Sequence, residues 1–117
     1  MRNMMKKENR RLYEGMYILN ASLSADALQK ALKRIIKIVE DNGGEVQKTH
    51  EMGRKKLAYE INGYKQGHYF LLYFVVAPSV IAEMWKSYYL NEDLIRFMTM
   101  RTNTILEKIE FKPLSEK

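Results

Sequence analysis

Three consecutive cations, Arg54, Lys55 and Lys56, stand inside the run Gly53-Arg54-Lys55-Lys56-Leu57-Ala58-Tyr59, on a stretch that reads as a β-strand. The chemistry available to such a group is neutralisation of a polyanion. A strand alternates its side chains between two faces, so Arg54 and Lys56 point one way and Lys55 the other, unless Gly53 marks a bulge. Like charges crowded on a sheet repel one another. A polyanion lying across them turns that repulsion into attraction. A charged edge strand that blocks aggregation is the other reading of the same run.

The elements that must carry this run follow from patterning. Leu12 to Leu19 is rich in aromatic and aliphatic residues and reads as a buried strand. Ser24 is a good helix N-cap with Asp26 in the first turn, and Leu28, Ala31, Leu32, Ile35, Ile38 and Val39 recur at helical spacing to about Asn42. Lys30, Lys33, Arg34 and Lys37 fill the opposite, outward face of that helix, and Gly43-Gly44 supplies its left-handed stop. Glu45 to Ile61 reads as a long polar strand interrupted near Gly53, followed by a turn over Asn62 to Gln66 that contains Asn62-Gly63. Gly67 to Ala77 is the most apolar stretch and predicts a central strand buried on both faces. Pro78 opens a second helix with Val80, Ile81, Met84, Trp85 and Tyr88 as its buried stripe. Leu94 to Arg101 is the last strand. The order is β-α-β-β-α-β. It predicts an α+β, ferredoxin-like fold: a four-stranded antiparallel sheet with both helices on one face and the other face open.

Other chemistries find no support. There is no cysteine, which removes thiol catalysis and cysteine-based zinc sites. His50 and His68 fall on different predicted strands without motif partners. No glycine-rich phosphate loop is present. The first strand–helix loop, Asn20-Ala21-Ser22-Leu23, has no cation with which a small enzyme on this scaffold could grip an anion. Glu51, Glu60, Glu92 and Asp93 read as surface charges. We expect no enzyme, no catalytic residue, no metal, no cofactor and no small-molecule substrate.

The 117 residues carry a formal net charge of +6. Residues 1–12 hold five cations and one anion, so most of the excess is local. The expected organisation is a flexible basic arm at 1–10, a folded domain at 11–102 and a tail at 103–117, the tail loose until a partner orders it. No run approaches the roughly 20 apolar residues of a membrane span, and the start lacks an apolar secretory segment. A cytoplasmic protein without membrane contact is expected.

Two resemblances bear on what binds the cations. Gln66-Gly67-His68-Tyr69-Phe70-Leu71-Leu72-Tyr73 is a near miss to the RNA-recognition-motif signature, and Met16-Tyr17-Ile18-Leu19-Asn20 resembles its companion. On that reading the chain is a free single-stranded RNA binder, with Tyr17, Tyr69 and Tyr73 stacking on bases. The second resemblance fits more of the chain. Arg11-Leu12-Tyr13-Glu14, the run Gly53 to Tyr59 with Ile61, Gly67-x-Tyr69-Phe70-Leu71 and Asn91-Glu92-Asp93-Leu94-Ile95-Arg96-Phe97-Met98 follow one another in order. Together they resemble the bacterial small-subunit ribosomal protein S6 family, over roughly 11–102.

That resemblance implies a ferredoxin-like structural component of the ribosome. It implies binding to the central domain of the small-subunit rRNA together with ribosomal protein S18. The RNA contacts are expected from Arg11, Arg54, Lys55, Lys56, Arg96 and Arg101. Tyr59, Tyr69 and Leu71 are expected to serve the fold or the protein partner.

Overall fold

A computed structural model describes residues 9–61 and 63–107. The basic arm before residue 9, Asn62 of the turn, and Ile109 and Phe111 of the tail lie outside the described residues. The strands are β1 (Arg11–Asn20), β2 (Glu45–Ile61), β3 (Tyr64–Val76) and β4 (Leu94–Arg101). The helices are α1 (Ala25–Asp41) and α2 (Ile81–Tyr89), the second entered through a 3-10 turn at Pro78–Val80. The sheet order is β2-β3-β1-β4 and every pairing is antiparallel. This is the ferredoxin-like arrangement, with β3 inserted between the two strands that α1 connects.

Local chemistry sets the element ends. The Ser24 side chain accepts a hydrogen bond from the Ala27 amide at 3.1 Å and caps α1. Gly43 closes the helix at φ +83°, where a side chain would be strained. Gly44 has a different reason to be glycine: a Cβ there would lie 2.1 Å from Val76 Cγ1 and 2.5 Å from the Val75 carbonyl oxygen.

The core lies between the helices and one sheet face. Tyr13, Tyr17, Leu19, Phe70, Leu72, Phe74 and Val76 project from the sheet against Leu28, Ala31, Leu32, Ile35 and Val39 of α1 and Met84 and Tyr88 of α2. The Tyr17 and Tyr88 hydroxyls meet at 2.8 Å inside it, which satisfies two polar groups that burial would otherwise strand. Trp85, expected in the buried stripe of α2, is instead 40% exposed. It packs beside Phe97 of β4, one of the two outer strands, at the margin of the sheet.

Past the end of β4, residues 102–107 lie against the sheet. The Thr102 amide donates to the Leu12 carbonyl at 3.1 Å, His50 Nε2 lies 2.7 Å from the Leu106 carbonyl oxygen, and Lys48 Nζ lies 3.1 Å from Glu107 Oε1. Because β4 and β2 are the two outer strands, the segment crosses the open face over β1 and β3. Beneath it Leu71 and Tyr73 are buried on that face. β3 is therefore covered on both sides, as its apolar sequence predicts.

Candidate nucleic-acid interface

The cation run sits on β2 just past an irregularity in the β2–β3 ladder. Glu51 pairs with Phe70 and Gly53 with Tyr69, so Met52 is the extra residue of a bulge and Gly53 takes φ +86°. Alternation resumes after the bulge. Arg54 pairs with His68 and Lys56 with Gln66 on the helix side, while Lys55 pairs with Gly67 on the open side. Arg54 Nη2 donates to the Ala21 carbonyl at 3.1 Å, which fastens it to the loop between β1 and α1. His68, next to it, has its pKa lowered by burial first and by the Arg54 charge second, so it adds no cation of its own near neutrality.

The end of the β2–β3 hairpin reaches back over the open face. The Tyr59 hydroxyl accepts a hydrogen bond from Arg96 Nη1 at 3.0 Å, although Arg96 lies on the opposite outer strand. A groove of about 300 Å³ opens between them, floored by Met16, Ile18, Leu57 and Met98 and walled by Tyr59 and Tyr69. Arg96 stands at its rim and no carboxylate lines it. The Tyr69 phenol is raised in pKa by burial, with the nearby Arg96 charge pulling the other way. Tyr59 is 63% exposed, so this apolar hollow opens to solvent.

The sequence-predicted cations thus divide into two groups. Arg54, Lys55, Lys56 and Arg96 gather at the end of the sheet where β1 reaches Asn20. Arg11, opposite Val76, and Arg101, opposite Tyr13, lie at the other end. At about 3.4 Å per residue the groups are roughly 25 Å apart along β1. Arg11 bonds the carbonyls of Asn9 and Arg10, and Arg10 itself spans to Glu45 at 3.4 Å. Leu71 sits with the fold, under the 102–107 segment. The hairpin's return over the sheet, which builds the groove, had no signal in the sequence beyond an exposed aromatic at Tyr59.

The base-stacking set does not assemble. Tyr17 has no exposed surface and faces the helices, and Tyr73 is buried on the other face. Parity decides this: Tyr17 pairs with Phe70 and shares its core face, whereas Tyr69 and Tyr73 lie on the reverse face. His50 and His68 likewise do not meet, and among the described residues no group of three or more His, Asp or Glu could hold a metal.

Comparison with known proteins agrees with this architecture. Residues 12–101 match the family described as Ribosomal protein S6. The small ribosomal subunit protein bS6 of Protochlamydia amoebophila is 52% identical over 113 residues, which is 97% of this chain and 99% of that protein. Its counterpart in Chlamydia abortus is 49% identical, over 96% of this chain and 100% of that protein. Among solved structures, the 30S ribosomal protein S6 of Thermotoga maritima superposes with a TM-score of 0.75 at 30% identity, covering 80% of this chain and 88% of that one. The chain belongs to the ribosomal protein S6 family, whose members are structural components of the small subunit of the cytoplasmic ribosome and not enzymes.

Proposed function

We propose that this protein binds the central domain of the small-subunit rRNA jointly with ribosomal protein S18. The observation that carries the reading is the pairing of two unlike surfaces at one end of the sheet. Arg54, Lys56 and Arg96 are exposed cations there, the first two on the helix side and Arg96 on the open side at the rim of the apolar groove under Tyr59. The cations suit phosphates, whose neutralisation releases condensed counterions. The groove suits apolar side chains of a protein partner, since exposed apolar surface of this kind marks a docking site. On this reading RNA is recognised through its backbone and shape, because the A-form major groove is too narrow for side chains. The basic arm at 1–10 adds charge to the domain at 11–102. Free single-stranded RNA binding is the weaker reading, because two of its three stacking tyrosines are buried.

The test is co-sedimentation of the tagged protein with small subunits across a salt series. Retention at moderate salt, abolished in the triple variant Arg54→Glu, Lys55→Glu, Lys56→Glu, supports the proposal. Retention of the triple variant would reduce the cluster to ordinary surface charge. Absence of the unmodified protein from the subunit would sink the reading.

A further inference from the structure

The two outer strands of the sheet are guarded very differently. β2 carries Glu45, Lys48, Glu51, Arg54, Lys55, Lys56 and Glu60 along its length, the charge that normally keeps a sheet edge from pairing with another chain. β4 reads Leu94-Ile95-Arg96-Phe97-Met98-Thr99-Met100-Arg101, with no proline, no glycine and no carboxylate. It is also the edge with exposed apolar side chains on both flanks. Met98 and Met100 are 51% and 56% exposed on the open face. On the helix side Trp85 and Tyr89 lean on Phe97 with ring centres 6.2 and 5.1 Å away.

The hydrogen-bond parity of β4 is fixed by one contact. The Thr102 amide bonds the Leu12 carbonyl, so even-numbered residues of β4 face β1 through the register Glu14–Met100 and Met16–Met98. The backbone N–H and C=O groups of Phe97, Thr99 and Arg101 therefore point away from the sheet. Among the described residues no strand pairs with that side.

We propose that the outer edge of β4 accepts an extended, acidic segment of a partner protein as a fifth strand. Main-chain hydrogen bonds to Phe97, Thr99 and Arg101 give such a strand its register. Its alternating side chains fall beside Met98 and Met100 on one face and beside Trp85 and Tyr89 on the other. Charge selects the occupant. Arg96 and Arg101 flank the edge, one on each face, and β4 offers no anion to balance them. A second copy would bring the same two cations and a further net charge of +6. An acidic segment brings complementary charge instead. Arg96, Phe97 and Met98 also line the groove under Tyr59, but the outward backbone groups of β4 lie on the far side of the strand from the sheet.

The probe is an acetylated, amidated octapeptide of alternating valine and glutamate, titrated into the isotopically labelled full chain and followed by NMR amide shifts and hydrogen exchange. Without peptide, the amides of Phe97, Thr99 and Arg101 exchange rapidly and those of Met98 and Met100 slowly. Added peptide slows the first set, and the valine–lysine analogue binds at least about tenfold more weakly. Thr99→Pro removes one outward N–H without touching the β1 ladder and abolishes the effect. Thr99→Val, which keeps that N–H while removing the hydroxyl that accepts from Trp85 Nε1, retains it. Any one of four results overturns the proposal: no slowing at millimolar peptide, response confined to β2, indifference to Thr99→Pro, or peptide-free protection that grows with protein concentration. The last would make a second copy the occupant.

Discussion

Tyr59 and Arg96 sit on the two outermost strands of the sheet, yet the Arg96 guanidinium donates to the Tyr59 hydroxyl at 3.0 Å. This contact holds the far end of the β2–β3 hairpin over the open face and forms one wall of the groove. Tyr59→Phe removes only the acceptor. Both partners are exposed, so we expect a loss of stability under about 1 kcal/mol by urea unfolding. Amide exchange across 57–61 should nevertheless quicken, because this contact bridges the hairpin to β4. Unchanged exchange there would mean that packing of Leu57, not this bond, holds the hairpin down.

The buried Tyr17–Tyr88 hydroxyl pair makes a prediction about both mutation and pH. Replacing either tyrosine by phenylalanine leaves its partner's hydroxyl unmatched in the core and should cost about 1–3 kcal/mol. Replacing both should cost less than the two single changes added together.

Burial pushes the Tyr17 phenol well above its ordinary value and the Tyr88 phenol up to about 12. The unfolded chain releases these protons near pH 10. The folded state holds them longer, so stability is intact below pH 10 and falls as pH rises from about 10 to about 12. Urea midpoints at pH 9 and pH 11 check this. The double phenylalanine variant should show a shallower fall, and an equal fall would assign it to other groups.

Two glycines should respond to alanine for different reasons. At Gly44 a new Cβ meets Val76 Cγ1 at 2.1 Å and the Val75 backbone at 2.5 Å, so Gly44→Ala forces α1 away from β3 and should cost at least about 1–3 kcal/mol. At Gly53 nothing lies within 4 Å, but φ is +86°. Gly53→Ala should cost only about 1–2 kcal/mol, from the backbone alone. Gly53→Asn should recover part of it, since asparagine tolerates that region better. Thermal unfolding of the three variants separates crowding from backbone strain.

The two cation groups, roughly 25 Å apart, should contribute separately to RNA affinity. Changing Arg54, Lys56 and Arg96 to glutamine should lower the slope of log affinity against log salt by about 2–3, close to one for each phosphate left without its cation. Changing Arg11 and Arg101 should lower it by less, since these two lie away from the groove. Equal decreases from the two groups would show that the RNA runs the length of the sheet.

The order of elements was legible in the sequence because each carries a local signal. Ser24 and Gly43 bound α1, period-3.6 spacing gives its buried face, and the Leu94–Arg101 strand begins just after the Asn91-Glu92-Asp93 break. The cation run was legible as chemistry, and the alternation of Arg54, Lys55 and Lys56 followed from strand geometry once Gly53 was placed at the bulge. The buried state of Tyr17 was not, since an aromatic on a strand fits either face until register assigns one. Nor was the gathering of Arg96 with Tyr59 or the burial of Leu71 under residues 102–107. Those depend on contacts between residues far apart in the chain, set by hairpin curvature and by where the chain crosses the sheet. Residue type and spacing by themselves determined the fold class and the presence of a clustered positive charge on β2. Tertiary structure alone decided which cations share an end of the sheet, because only long-range packing brings opposite edges of a sheet together.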